Sequence, residues 1–279
     1  MPALKTQLIR VGHSPDPDDA FMFYALAKEK IPMQGFRVEH VIEDIETLNQ
    51  RALHGELEVT AVSCHAYAYL ADRYLVMNSG ASVGDNYGPI LVSKTSRERS
   101  IRGKKIAVPG KLTTAYLVLQ LLEKDFEPVF TPFDEILESV RSGKTDLGLV
   151  IHEGQITFKE AGLHKVMDLG GWWYERTRLP LPLGVDIIRR DLGAETIRSF
   201  SQLFKASIQY ALDHRADALA YALQYGRGIG CDLGDQFVGM YVNDLTIDLG
   251  EKGKAGFRRL LAEAHKAGLL PQSVELEFV

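Results

Sequence analysis

The chain has 279 residues, of which 46% are hydrophobic and 25% charged, a balance typical of globular proteins. Its formal net charge of −5 and its scattered lysines and arginines argue against a nucleic-acid partner. The sequence has neither a signal-peptide pattern nor an apolar run long enough to span a membrane, so we expect a cytoplasmic protein without a membrane partner. Cys64 and Cys231 lack the spacing of a zinc motif or a disulfide framework, and we expect no metal.

The first hundred residues alternate between strand and helix patterns. Short or alternating apolar runs predict strands over 7–12, 36–41 and 57–63. Helical spacing predicts a helix that begins after the loop 13–19, and further helices over 45–54 and 66–74. This order is typical of a wound α/β lobe. The polar, charged stretch 94–105 then predicts the end of a first lobe at residue 95.

A second α/β unit follows, and the tail is helical. Strands are predicted over 106–108, 147–151 and 166–169, and helices over 115–124 and 133–142. A strand over 184–190 leads back to the first lobe, and the tail has helical spacing over 194–212, 216–225, 236–243 and 251–267. We therefore predict a first lobe of residues 1–95 and 188–279, a second lobe of residues 96–187, and a substrate cleft between them.

The loop 13–19 carries three carboxylates and two prolines between a strand and a helix. Asp18 and Asp19 stand where N-cap residues and first-turn acids stabilise a helix. The alternative is a strand–loop–helix junction that exposes Ser14 and backbone amides to a ligand. The prolines, and the missing glycine and glutamate positions of an EF-hand, argue against a metal site here.

Hydroxyl side chains end one strand and precede one helix. Ser63 ends the strand 57–63, and Thr113 and Thr114 stand just before the helix 115–124. In an open α/β sheet the ligand crevice lies beyond the carboxyl ends of the strands. The threonines are N-cap residues in one interpretation, and in the other they help a helix N-terminus to bind a carboxylate or phosphate.

His152 and Glu153 follow the end of the apolar run 147–151. A histidine at the end of a strand in such a sheet stands where a general base belongs, because imidazole exchanges a proton near neutral pH. The alternative is a polar residue that only forms hydrogen bonds at the strand end. Farther on, Trp172 and Trp173 either line a pocket or pack between the lobes.

A family resemblance rests on several long segments that occur in one order: HSPDPDDAFMFYAL, IEDIETLNQRAL, VPGKLTTAYL, GLVIHEGQITF and DLGGWWYERTRLPLPLG. Together with YVNDLTIDLGEKG and the final LEFV, they resemble the 1,4-dihydroxy-6-naphthoate synthase family of the futalosine route to menaquinone. The resemblance covers essentially the whole chain. Several long motifs in the same order are more specific than any one of them.

This resemblance implies a fold and an activity. The implied fold is α/β with the two-lobed, type II periplasmic-binding-protein-like architecture and two hinge crossings. The implied protein is a cytosolic, lyase-type enzyme that converts cyclic dehypoxanthine futalosine to 1,4-dihydroxy-6-naphthoate without a metal or nucleotide cofactor. Its partner would be a small carboxylate-bearing substrate, and a homodimer is left open.

The resemblance also implies roles for particular residues. His152 is expected to be the general base, and Glu153 either orients it or is solvated. The residues expected to line the substrate site at the end of their strand are Ala61, Val62 and Ser63. From the other lobe, Thr113 and Thr114 are expected to hold the substrate by its carboxylate.

The first loop departs from the family pattern. Where the family has SPCPND followed by Thr-Phe, this chain has Asp16 for the thiol, Asp18 for the amide and Ala20 for the hydroxyl. Two added carboxylates that face the pocket would disfavour an anionic substrate. If Asp18 only caps the helix, the change is nearly neutral. The departure leaves the identity of the substrate open.

Two other functions are compatible with the sequence. Chorismate dehydratase, another enzyme of the same menaquinone branch, shares the fold, although HEGQITF and WWYERTRLPLPLG favour the naphthoate synthase. A cytosolic protein that only binds a small carboxylate is the alternative without catalysis.

Overall fold

The structure, a computed structural model, describes residues 6–226 and 228–279. The strands in these ranges are β1 (Gln7–His13), β2 (Phe36–Ile42), β3 (Val59–Ser63), β4 (Tyr74–Val76), β5 (Ser82–Gly84), β6 (Ile90–Ser93), β7 (Lys105–Val108), β8 (Glu127–Phe130), β9 (Leu147–Val150), β10 (His164–Asp168) and β11 (Leu181–Arg189). The helices are α1 (Pro17–Ala27), α2 (Ile45–Leu53), α3 (Cys64–Tyr67), α4 (Thr114–Leu122), α5 (Ile136–Arg141), α6 (Gly154–Thr157), α7 (Leu169–Thr177), α8 (Ala194–Asp213), α9 (Arg215–Ala222), α10 (Cys231–Tyr241), α11 (Asp244–Ile247) and α12 (Gly250–Lys266). Short 3-10 turns cover Phe133–Glu135 and Arg190–Leu192.

The strands form two sheets. In the first sheet the order is β2-β1-β3-β11-β4, and β5 pairs with β11. Here β1 runs parallel to β2 and β3, whereas β11 runs antiparallel to β3, β4 and β5. In the second sheet the order is β10-β6-β9-β7-β8, with β7 parallel to β8 and β9, and β6 antiparallel to β9 and β10. Each sheet with its helices forms one of two lobes.

The chain crosses between the sheets earlier than the predicted boundaries. It leaves the first sheet after Gly84 and enters the second at Ile90, and it returns between Asp168 and Leu181. The predicted boundaries at 95 and 187 therefore lie a few residues beyond the crossings. The charged stretch 94–105 connects β6 and β7, which belong to the same sheet. The charged composition of this stretch indicates an exposed connection. Composition does not indicate which sheet β6 and β7 join.

The two crossings touch each other. Helix α7 starts with Asp168, whose side chain accepts the N–H groups of Gly170 and Gly171. A Cβ on Gly170 would lie 1.9 Å from the carbonyl oxygen of Tyr87, so only glycine allows this approach. The close approach of the two crossings thus explains the glycine at position 170.

Helices of the tail cover the first sheet together with α1. Helix α8 buries Ile197, Phe200, Phe204 and Ile208 at helical spacing. The Phe23 ring of α1 stacks on Phe204 at 4.6 Å between ring centroids. The predicted tail helices are confirmed as α8, α9, α10 and α12, with α10 displaced toward its N-terminus, and the short α11 was not predicted. Among residues 6–226 and 228–279, no helix combines the length and apolar character that a membrane crossing needs.

The helix predicted over 66–74 is wrong in length. Only the four residues of α3 are helical, and the chain then turns into β4. Tyr67 and Tyr74 resemble one helical face in the sequence. In the structure both are buried, and their hydroxyls donate to the carbonyl oxygens of Tyr74 and Leu57, respectively. Tertiary burial overrides the local pattern here.

Trp173 is the largest fully buried side chain of α7, and its Nε1–H donates to the carbonyl oxygen of Pro180 at 3.2 Å. We expect Trp173→Ala to lower the free energy of unfolding by about 3–5 kcal/mol, because it removes a packed ring. The half-buried neighbour Trp172 is the matched control, and Trp172→Ala should lower it much less. Urea-induced unfolding measures both. Equal effects would contradict the assignment of Trp173 to the core.

Candidate active site

A cavity of about 90 Å³ lies between the two lobes. The first lobe contributes Ser14, Asp16, Asp18, Asp19, Ile45, Ala61, Val62, Ser63, Gly80, Ser82, Leu183, Gly184 and Val185 to its lining. The second lobe contributes Pro89, Thr113, Thr114, Ala115 and Ile151. A larger, more open groove of about 940 Å³ runs along α6 and β10, but it contains none of the residues predicted from the sequence. The interlobe cavity is therefore the candidate active site.

The end of β3 forms one wall of the cavity through Ala61, Val62 and Ser63. The Ser63 N–H donates to Asn49 Oδ1 at 2.9 Å, and Asn49 Nδ2 donates to Ser63 Oγ at 3.2 Å. Because Asn49 acts as the donor to the hydroxyl, the Ser63 O–H is left to donate toward the cavity. Asn49 is buried in α2, and the sequence pattern gave no indication of this supporting role.

The start of α4 faces Ser63 from the second lobe. Thr113 is the N-cap: its hydroxyl accepts the Tyr116 N–H and donates to the carbonyl oxygen of Gly110 at 2.9 Å. The N–H groups of Thr114 and Ala115 belong to the first turn, where a helix offers no internal acceptor. These amides and the helix dipole favour an anion at this edge of the cavity.

Thr114 connects the lobes. Its hydroxyl donates to the carbonyl oxygen of Leu183 at 2.5 Å and accepts the His65 N–H at 3.2 Å. The His65 ring also lies 3.4 Å from the carbonyl oxygen of Thr113, and burial lowers the pKa of His65 to about 4. Both threonine hydroxyls are thus engaged with protein groups, and the backbone amides are the donors that α4 presents to a ligand. No local sequence pattern indicates this role of His65.

The acidic loop forms the opposite wall. Ser14 lines the cavity, its N–H donates to Asp19 Oδ2 at 2.8 Å, and its Oγ accepts the Asp16 N–H at 3.1 Å. Pro17 is the first residue of α1, so Asp18 and Asp19 lie in the first turn. Burial raises the pKa of Asp18 well above its usual range, and the charges of Asp19 and Asp16 raise it further. Burial also raises the pKa of Asp19 to about 6.

His152 lies behind the cavity wall. The residue before it, Ile151, lines the cavity, but the His152 ring does not. Its Nδ1 accepts the Gly154 N–H at 2.9 Å, and its Nε2 lies 2.6 Å from the carbonyl oxygen of Phe133. These two contacts assign the proton to Nε2 and leave neither nitrogen directed at the cavity. The structure therefore brings Ser14, the end of β3 and the two threonines together, and it leaves His152 adjacent to them.

Neither tryptophan lines the cavity. Trp173 belongs to the hydrophobic core, and Trp172 packs against it, with the Arg176 guanidinium 5.9 Å from its ring. Within the part of the chain that the structure describes, no three His, Cys, Asp or Glu side chains converge as metal ligands.

Comparison with known proteins identifies relatives along the whole chain. A family model described as menaquinone biosynthesis matches residues 9–266. The chain is 41% identical over 273 residues to a 1,4-dihydroxy-6-naphthoate synthase of Thermus thermophilus, covering 98% of this chain and all of that relative. A crystallised protein of Archaeoglobus fulgidus is 48% identical, with a TM-score of 0.91 over 96% of this chain and 100% of that one.

A fold comparison agrees with the predicted architecture. The alkanesulfonate-binding protein SsuA from Xanthomonas axonopodis superposes with a TM-score of 0.73, covering 96% of this chain and 95% of that one at 12% identity. This identity shows a shared fold alone. The predicted two-lobed, periplasmic-binding-protein-like α/β architecture is confirmed.

The bridge at Thr114 is testable. Thr114→Val keeps the shape of the side chain but removes the partner of the Leu183 carbonyl and of the His65 N–H. We expect it to lower the free energy of unfolding by about 1–3 kcal/mol, since buried polar groups lose their hydrogen bonds. Thr114→Ser, which retains the hydroxyl, is the control and should be close to wild type. If urea-induced unfolding shows the two variants to be equally stable, the hydroxyl does not bridge the lobes.

Proposed function

Because the chain belongs to the menaquinone biosynthesis family, we propose that it is a 1,4-dihydroxy-6-naphthoate synthase. It would convert cyclic dehypoxanthine futalosine to 1,4-dihydroxy-6-naphthoate in a lyase-type reaction. The observation that carries the proposal is the 41% identity to the Thermus thermophilus synthase along its full length. The interlobe cavity supports it, because polar groups from both lobes converge there. A cytoplasmic location and a homodimer remain predictions.

The carboxylate of the substrate would bind at the start of α4. The first-turn amides of Thr114 and Ala115 are donors for an anion there. Ser63, which lines the cavity from the first lobe, would add its hydroxyl as a further donor. A substrate held in this way touches both lobes, so its binding and the approach of the lobes would stabilise each other.

The lobes would separate to admit the substrate. The cavity of about 90 Å³ is much smaller than the ~300–1,000 Å³ of pockets that hold drug-sized ligands. Closure around the bound substrate would then exclude water from the reacting atoms. The two adjacent crossings at Tyr87 and Gly170 are where such a motion would be absorbed.

We propose His152 as the general base. A base needs an accessible lone pair, and with the proton on Nε2 that lone pair is on Nδ1, where it accepts the Gly154 N–H. The ring therefore has to exchange the Gly154 N–H for the substrate, and release of Nε2 from the Phe133 carbonyl would let it turn. Phe133 borders a cleft of about 500 Å³ between the lobes, so the turn that carries it is exposed to displacement when the lobes move. Glu153 Oε2, 3.8 Å from Nδ1, would stabilise the ring once it has taken a proton.

Replacement of the histidine should remove turnover. We expect His152→Ala, and the more conservative His152→Gln, to lower kcat by about 100- to 10,000-fold, because glutamine forms hydrogen bonds but takes no proton. His164→Ala is the matched control, since this histidine is exposed on β10 of the same lobe. Circular dichroism verifies that each variant is folded. Appreciable turnover by folded His152→Gln would rule out the role as base.

A product assay tests the function itself. The purified protein is given cyclic dehypoxanthine futalosine and, in a separate reaction, chorismate, and the products are identified by mass spectrometry. We expect 1,4-dihydroxy-6-naphthoate from the first substrate only. Product from chorismate alone would instead show a chorismate dehydratase. Tight binding of a carboxylate with no product from either substrate would show a binding protein.

A further inference from the structure

Asp18 is a carboxyl in the cavity whose contacts are the backbone N–H groups of its own turn, at Asp18 and Asp19, and one hydroxyl. It is 8% exposed, and its contact with a neighbouring donor is long, 3.4 Å from Ser82 Oγ to Asp18 Oδ2. In residues 6–226 and 228–279, no lysine or arginine forms an ion pair with Asp18 or with the adjacent Asp19. Asp18 therefore sits among other acids without a compensating cation from these ranges.

A second acid supports the cavity wall from behind. Asp186 of β11 is 1% exposed, and neither of its carboxyl oxygens has a hydrogen-bond partner. It lies against Gly80, which lines the cavity: a Cβ on this glycine would be 2.2 Å from Asp186 Oδ2. A buried polar group with no partner is unusual in folded proteins, and here it lies directly against the cavity wall.

Burial and neighbouring charges determine the protonation state of Asp18 and Asp186. Burial raises the pKa of Asp186 well above its usual range, and the Asp19 charge adds to the effect. The pKa of Asp18 is raised in the same way by burial and by the charges of Asp19 and Asp16. A protonated carboxyl has an O–H that donates a hydrogen bond, which an ionised one lacks.

Helices α8, α9 and α10 and strand β2 pack on α1. From α8, the Ser207 hydroxyl donates to the carbonyl oxygen of Met22, and from β2, His40 lies against the Phe23 ring, where burial lowers its pKa to about 4. Helix α10 brings Tyr241, whose hydroxyl donates to Gln155 Oε1 at 2.9 Å. Helix α9 brings Arg215, which lies over the Phe21 ring and is paired with Asp235 at 2.8 Å. Neither supplies a positive charge to the carboxyl of Asp18.

We propose that Asp18 is a specificity-determining residue that donates a hydrogen bond to an oxygen of the substrate, with the adjacent Asp19 and Asp16 as the acids that keep it a donor and Asp186 buried behind the same wall. The site then accepts oxygen-rich, neutral or anionic ligands and does not select cations. This inference rests on the proposed function for the identity of the substrate. It also reconciles the acidic wall with a carboxylate bound at α4.

Two substitutions separate a donor from an ionised carboxylate. Asp18→Asn keeps a hydrogen-bond donor of the same shape, and Asp18→Ala removes it. With cyclic dehypoxanthine futalosine at pH 7, we expect a KM within about threefold of wild type for Asp18→Asn and raised about tenfold or more for Asp18→Ala. We expect kcat to change little in either variant. An equal loss of affinity in both would overturn the proposal, because an ionised carboxylate would then be the group that acts.

The dependence of KM on pH also distinguishes a protonated Asp18 from an ionised one. As pH rises, Asp18 loses its proton and becomes an acceptor that repels an anion, so the KM of the wild type should rise. Asp18→Asn has no proton to lose there and should lack this rise, whereas all other groups titrate in both proteins. A rise of the same size in the two proteins would contradict the proposal.

A measurement without substrate distinguishes failure of this inference from failure of the proposed function. Infrared difference spectroscopy at pH 7, wild type minus Asp18→Asn, should show the C=O band of a protonated carboxyl. A spectrum with only the bands of an ionised carboxylate would overturn the proposal even if the enzyme turns over. If the band is present but the futalosine derivative gives no product, the donor is upheld, and the proposed substrate is the part that fails. Saturable binding of Mg²⁺ that disappears in Asp18→Asn would also overturn the proposal.

Discussion

The antiparallel pairing of β11 with β3 is the constraint on which the site depends. Residues Gly184–Ile188 lie opposite Val59–Ser63, so the returning chain is fixed to the strand that ends in Ser63. The same pairing places the Leu183 carbonyl where the Thr114 hydroxyl of the second lobe reaches it. It also sets Asp186 directly opposite Ala61, behind the cavity wall. Without this strand the second lobe would have no fixed position against the first, and the cavity would lose the lining residues Leu183, Gly184 and Val185.

The cavity joins two chemical surfaces that would conflict if all of its acids were charged. Helix α4 presents amides and a positive dipole end, whereas α1 presents three carboxyls in and before its first turn. In water these carboxyls would be ionised and would repel an anion. Burial changes the balance, because desolvation disfavours the charged form of an acid more than it does the neutral one. The departure of the loop from the family pattern at Asp18 is then compatible with an anionic substrate, because burial raises the pKa of this carboxyl. Whether this wall repels an anion depends on the solvation of the carboxyls and not on their number.

Sequence rules located the backbone of the site well and its side-chain orientations poorly. Ser63 and Thr113 were predicted because strand ends and helix starts converge at one edge of a sheet, and local patterns are enough to find them. The orientation of His152 depends on the Phe133 carbonyl, which comes from another element 19 residues away, and no local pattern reports that contact. Asp186 reads in the sequence as an ordinary polar residue of a strand. Its burial follows from the helices that cover the first sheet, which only the tertiary structure shows.

Single hydrogen bonds cross between the lobes beside the apolar cluster that the lobes share, and the proposed opening would have to break them. Besides the Thr114 bridge, the Leu112 N–H donates to Glu46 Oε2 at 3.0 Å, and Tyr241 of the first lobe donates to Gln155 of the second. Each such bond contributes about 0.5–1.5 kcal/mol net, since water replaces the partner when the lobes separate. Bonds of this size would add little to the free-energy cost of the proposed opening, which the shared apolar packing would mainly set. A substrate that forms hydrogen bonds to Ser63 and to the α4 amides at the same time would replace, across the cavity, the interlobe hydrogen bonds that opening had broken. Binding energy would then act on the position of Phe133, and through it on the freedom of the His152 ring to accept a proton.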